Sequence, residues 1–196
     1  MKIIKNRSAL STVVTTLIIL VVSVLLAGVV TMYAINITST RTQQEDLRIS
    51  KQAIWVCENA TNDVYVYAAF TIDNVGGRDV VIDKIQVRGV EASWSSVAYK
   101  RLNSSVTGSL VAPNDTYDET LPSTNFIYTS GGDKANFTTA SDDIPLASGD
   151  TLVVYILNPG SITMSDIGTT IGITVYTENA QYYVETNVQT GEEASS

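Results

Sequence analysis

The chain has no histidine and a single cysteine among its 196 residues. Without histidine it lacks the commonest general base, the commonest transition-metal ligand and the usual switch near neutral pH. One cysteine, Cys57, excludes an intramolecular disulfide and any metal site built on cysteine pairs. Its place in the apolar stretch AIWVCEN points to a buried structural thiol. Neither G-x-S-x-G nor S-x-x-K occurs, so no nucleophile with its base is signalled. No glycine-rich loop precedes a helix, which leaves phosphate cradling without a candidate. Basic residues form no stripe, and the net charge of −8 with a pI near 4.4 argues against a nucleic-acid partner. These absences point away from an enzyme and imply no cofactor.

Carboxylates do gather, as Asp115, Asp118 and Glu119 in PNDTYDET, as Asp133, and as Asp142 beside Asp143. Calcium takes oxygen ligands from loops of this kind, but no EF-hand spacing is present. Solvated acidic loops are the simpler expectation, and no metal site is assigned.

A further absence carries more: no charged residue lies between Arg7 and Arg41. Within that gap runs TTLIILVVSVLLAGVVTMYAINI, and about 20 apolar residues suffice to cross a bilayer core as a helix. A cleavable secretory signal has a shorter apolar core of roughly 7–15 residues. This run continues into TSTRTQQEDLRISKQ, which is expected to stay helical to about residue 51. A helix from residue 10 to 50 would be about 60 Å long, half of it beyond the membrane. Thr15, Thr16, Ser23, Ala27, Gly28 and Thr31 are small or hydroxylated positions at which such a helix can approach others closely. Lys2, Lys5 and Arg7 crowd the short N-terminal flank, while Arg41 and Arg48 are mixed with Glu45 and Asp46 on the other. The positive flank stays cytoplasmic, so the rest of the chain is expected outside the cell. Asparagine sequons at Asn36, Asn59, Asn103, Asn114 and Asn136 are glycosylation candidates there, against the plainer reading of a Ser/Thr-rich surface. Asn6 also matches, on the cytoplasmic flank.

The stretch KNRSALSTVVTTLIILVV resembles the N-terminus of archaeal type IV pilins and archaellins, subunits of adhesion and swimming filaments with a class III signal peptide. The resemblance implies that a prepilin-peptidase-like enzyme removes a short basic leader just before the apolar helix. The matching cut falls between Ser8 and Ala9. Val13 takes the fifth mature position, where bacterial relatives carry glutamate and archaeal ones usually do not. Two departures stand: Ser8 replaces the usual Gly or Ala before the cut, and Thr12 replaces a frequent proline.

After residue 51 the periodicity becomes two-residue. In VYVYAAFTIDN, Val64, Val66, Ala68, Phe70 and Ile72 alternate with Tyr65, Tyr67, Ala69 and Thr71, which predicts a half-buried strand. Further strands are expected at 80–88, 94–102, 151–157, 168–177 and 182–189, with shorter ones near 54–57, 109–112 and 126–129. Turns are marked by NVGGRD, SGGD, ASGD, NPGS and TENAQ. Seven to nine short strands fit an immunoglobulin-like β-sandwich. The pattern F-x-I-x-N-x-G to D-x-I-x-V, then SGDTLVVYI, is similar to pilin and archaellin heads.

The expected architecture is α+β: a leader over 1–8, a transmembrane or filament-core helix over 9–51, an extracellular sandwich head over 52–190 and a tail over 191–196. The resemblance implies a self-assembling filament subunit, held in the membrane before polymerisation and partnered by itself, the processing enzyme and the assembly machinery. The alternative is a single-span anchored binding or accessory module that does not polymerise.

Overall fold

Leucine, isoleucine and valine fill the charge-free run, and it forms one helix, α1 (Asn6–Thr42). The computed structural model describes residues 6–42, 44–58, 63–113, 120–160 and 162–191, and the chain separates into two units, Met1–Gln43 and Gln44–Ser196. The helix expected to reach residue 51 stops at Thr42, and the first strand, β1 (Leu47–Glu58), takes up the polar sequence that follows. Tertiary pairing overrides local preference here. Leu47 through Glu58 align with β2 (Val64–Asn74), from Leu47 opposite Asn74 to Glu58 opposite Val64. The helical segment is therefore shorter than 9–51, and the second unit begins at Gln44 rather than at residue 52.

Ten further strands occur among the described residues: β3 (Val80–Val87), β4 (Val90–Glu91), β5 (Val97–Leu102), β6 (Phe126–Ile127), β7 (Lys134–Ala135), β8 (Thr138–Thr139), β9 (Ile144–Leu146), β10 (Thr151–Leu157), β11 (Thr170–Thr177) and β12 (Gln181–Thr190). One sheet runs β1-β2-β10-β5-β8. The other runs β3-β11-β12, with β4 and β9 on the far edge of β3. β12 belongs to both. Up to Asn187 it pairs antiparallel with β11, and then residues 188–190 pair parallel with residues 54–56 of β1. A strand that changes sheets in this way makes a corner. Across the space between the sheets, Ile54, Phe70, Ile72, Val154 and Ile156 meet Ile82, Ile85, Ile173 and Val175 in one core. The second unit is thus a β-sandwich, and the whole chain is α+β.

A β-bulge lies between Ser50 and Ala53. Lys51 there has a φ of 54°, a left-handed conformation. The extra residue changes the side-chain parity of the strand. Ile49 before it and Ile54 and Val56 after it consequently all reach the same core.

The half-buried strand expected at 64–72 is in fact covered on both faces. Val66, Ala68, Phe70 and Ile72 enter the inter-sheet core, while Tyr67 and Ala69 enter a second core with Trp55, Cys57, Val153 and Tyr155. That second core is closed by Leu110, Tyr128 and Phe137, from the long excursion between β5 and β9. β10 is buried throughout for the same reason. Several strand bounds also shift: 80–88 becomes 80–87, 126–129 becomes 126–127, 168–177 becomes 170–177 and 182–189 becomes 181–190. The 54–57 segment is the end of the longer β1, the 94–102 segment opens with a 3-10 turn at Trp94–Ser96, and 109–112 makes only an isolated bridge from Leu110 to Thr129.

Candidate functional site

The segment that sets this molecule apart is α1. Leu10–Thr40 is 31 residues long, the mean hydropathy of its most apolar 18-residue window is 2.9, and it is long and apolar enough to cross a membrane. Its eighteen large apolar side chains, from Leu10 to Ile37, are 43–69% exposed. They occupy every face, so no single stripe could dock on a sheet and leave the rest in water. Moving such side chains out of water is worth about 1.5–3 kcal/mol each, tens of kcal/mol in sum.

The polar groups of the helix are compatible with a dry environment. Thr15 Oγ1 donates to Ser11 O at 2.9 Å, Thr16 to Val13 O at 2.9 Å, Ser23 Oγ to Ile19 O at 2.7 Å and Thr31 to Ala27 O at 2.7 Å. Thr38 and Thr40 do the same to Ala34 O and Asn36 O. These six hydroxyl protons are satisfied within the helix, as lipid requires. These hydroxyls therefore present small size rather than a free donor to a neighbouring helix.

Of the six positions expected to allow close approach, four share one face. At about 100° per residue, Thr16, Ser23, Ala27 and Thr31 align, whereas Thr15 and Gly28 fall on other faces. Three further members of that face, Thr12, Ala34 and Thr38, are not among the six expected positions. The signal was present as a spacing, because the pairs Thr12/Thr16, Ser23/Ala27 and Ala34/Thr38 recur every 11 residues. A shallow notch lined by Val30, Thr31, Ala34, Ile35, Thr38 and Ser39 marks the later part of this face. Nothing lies within 4 Å of a Cβ built on Gly28.

The processing residues Ser8 and Ala9 have helical backbone, and their side chains lie outside the described residues. Among the sequons, Asn59 and Asn114 also lie outside them. Asn36 sits within α1, inside the apolar span. Asn103 is exposed just beyond β5, and Asn136 is exposed between β7 and β8, where its Oδ1 accepts the Asn125 N–H at 2.8 Å. Asp115, Asp118 and Glu119 fall outside the described residues, while Asp133 accepts the Thr129 hydroxyl at 2.7 Å. No group of three or more His, Cys, Asp or Glu side chains gathers among the described residues.

Fold and site together define a β-sandwich carried behind an exposed, membrane-competent apolar helix. No protein-family model matches the chain, and no curated protein matches it significantly. A solved structure of the Pseudomonas fluorescens alkylpurine DNA glycosylase AlkC, bound to DNA containing an abasic-site analogue, aligns at 7% identity with a TM-score of 0.28. The alignment covers 74% of this chain and spans only 30% of the glycosylase chain. A likeness of that size does not define a common fold.

Proposed function

We propose that the chain is a structural subunit of a cell-surface filament of the archaeal type IV pilin and archaellin kind. The observation that carries this reading is α1: its large apolar side chains lie exposed on every face, and six of its hydroxyls are bonded to its own carbonyls. Such a helix requires a non-aqueous neighbour. Lipid provides one before assembly, and copies of the same helix provide one afterwards. Leaving lipid for a bundle keeps the apolar surface dry, while close packing at small residues supplies the association energy. The repeat of small pairs every 11 residues supports that second stage, because it keeps one close-approach face in register along the helix. The sandwich would form the outer surface of the polymer. No catalytic role is proposed.

Shearing cells and separating the released filaments from the membranes tests this reading. A subunit becomes a dominant species of the sheared polymer. A simple anchored module remains entirely with the membranes, and that result would overturn the proposal.

A further inference from the structure

We propose that the sandwich is a load-bearing unit in which tension arriving through α1 is resisted in shear by β1, clamped between β2 and the C-terminal strand β12. This does not depend on the filament reading, because any tether through the N-terminal helix pulls on the same strand. Such tension reaches the sandwich where the chain enters the second unit. Asp46 O accepts the N–H groups of Val75 and Gly76, both at 3.0 Å, and Gln44 O accepts that of Gly77 at 3.3 Å. The carboxylate of Glu45 accepts the Thr177 hydroxyl, the Tyr182 hydroxyl at 3.4 Å and Asn179 Nδ2 at 3.5 Å. The first bonds reach the β2–β3 turn and the second group reaches the β11–β12 hairpin, so both sheets share the load at its point of entry.

Beyond this clasp, β1 pairs with β2 at ten positions and lies parallel to β12 at three. Gly191 N–H adds a bond to Val56 O at 2.8 Å, and the Thr186 hydroxyl donates to Gln52 O at 3.1 Å. The hydrogen bonds of the antiparallel β1–β2 ladder lie across the strand direction, and those of the parallel β1–β12 pair are slanted to it. Pulling along β1 therefore strains them together, whereas pulling a sheet edge sideways opens them one after another. A parallel pair of first and last strands is the arrangement in which tension between the chain ends produces shear. The buried side chains of β1, Ile54, Trp55, Val56 and Cys57, must also slide through two packed cores before the strand is released.

Single-molecule force spectroscopy of the full chain, with α1 in a detergent micelle, tests this by changing direction alone. One geometry pulls between the N- and C-termini. The other pulls between cysteines placed at Glu91→Cys in β4 and Thr139→Cys in β8, the two ends of the strand order. The expected result is a single high-force rupture in the first geometry and a stepwise, severalfold weaker one in the second. Glu45→Ala should lower the rupture force in the first geometry and leave the second unchanged. Equal rupture forces in the two geometries, or an equal effect of Glu45→Ala on both, would overturn the proposal.

Discussion

Tyr155→Phe removes one oxygen atom from the second core of the sandwich. Tyr155 is fully buried on β10, and its hydroxyl donates to Val111 O at 2.9 Å with Tyr128 O also at 3.2 Å. Its ring meets Phe126 and Phe137 edge to face at 5.3 and 5.4 Å. Phenylalanine keeps those ring contacts, so the loss is confined to the hydrogen bond. Tyr128 O still accepts the Val111 N–H at 3.2 Å, whereas Val111 O is left without this donor. A buried bond removed from one side costs about 1–3 kcal/mol, here about 2 kcal/mol. For a unit of this size that is a fall in Tm of about 4–8 °C. Burial, the largest cause, also pushes the Tyr155 pKa upward, against the opposing bond to Val111. The folded protein then holds a proton that the unfolded chain releases above its ordinary value of about 10. Stability linked to Tyr155 is complete below that pH and falls as pH climbs above it. Tyr128 and Tyr182, both raised chiefly by burial, add to the same alkaline decline. Thermal and urea unfolding of both proteins in detergent, followed by near-ultraviolet circular dichroism from neutral pH to above 10, measures both effects. A loss below about 0.5 kcal/mol, or an alkaline decline as steep in the variant as in the parent, would show that the Tyr155 hydroxyl does not hold this core together.

Gly76→Ala should destabilise the sandwich by about 1–3 kcal/mol, because its Cβ would lie 2.6 Å from Asp46 N and 2.7 Å from Gln44 O, both backbone atoms. Gly172→Ala should cost less in the same urea titration, since it meets only the outer ring of the exposed Tyr183, which can swing away. Thr31→Val keeps the branched shape and discards a hydroxyl already bonded to Ala27 O, so filament yield should hold, whereas Thr31→Leu should reduce it. If the sandwich is exported and glycosylated, peptide mass spectrometry should find glycan on Asn103 and none on Asn36, which lies inside the apolar span.

The legible parts of the fold were those where one local pattern met no competitor. The charge-free run gave α1 because only a helix satisfies so long an apolar backbone without partners. TLVVYIL gave β10 at its true bounds because it is short, β-branched and flanked by turn residues. The polar segment 47–51 misled because its composition suits a helix, and only pairing with β2, beyond the following turn, makes it a strand. VYVYAAF looked half-buried because alternation was sought, although its tyrosines and alanines are as apolar as the other face. Such continuity marks a strand covered on both sides. The cover comes from a loop-rich excursion without periodicity of its own, so it left no pattern to detect. In the helix, counting small residues found Thr16, Ser23, Ala27 and Thr31, the rotation of about 100° per residue separates them from Thr15 and Gly28, and the 11-residue spacing adds Thr12, Ala34 and Thr38.

In the proposed function one helix serves first as a membrane span and then as a polymer core after its basic leader is removed. Intact-mass and N-terminal peptide analysis of the chain recovered from sheared surface filaments tests it most directly. The expected result is a polymerised protein beginning at Ala9. A chain that retains residues 1–8 and is found only in the membrane fraction would contradict it.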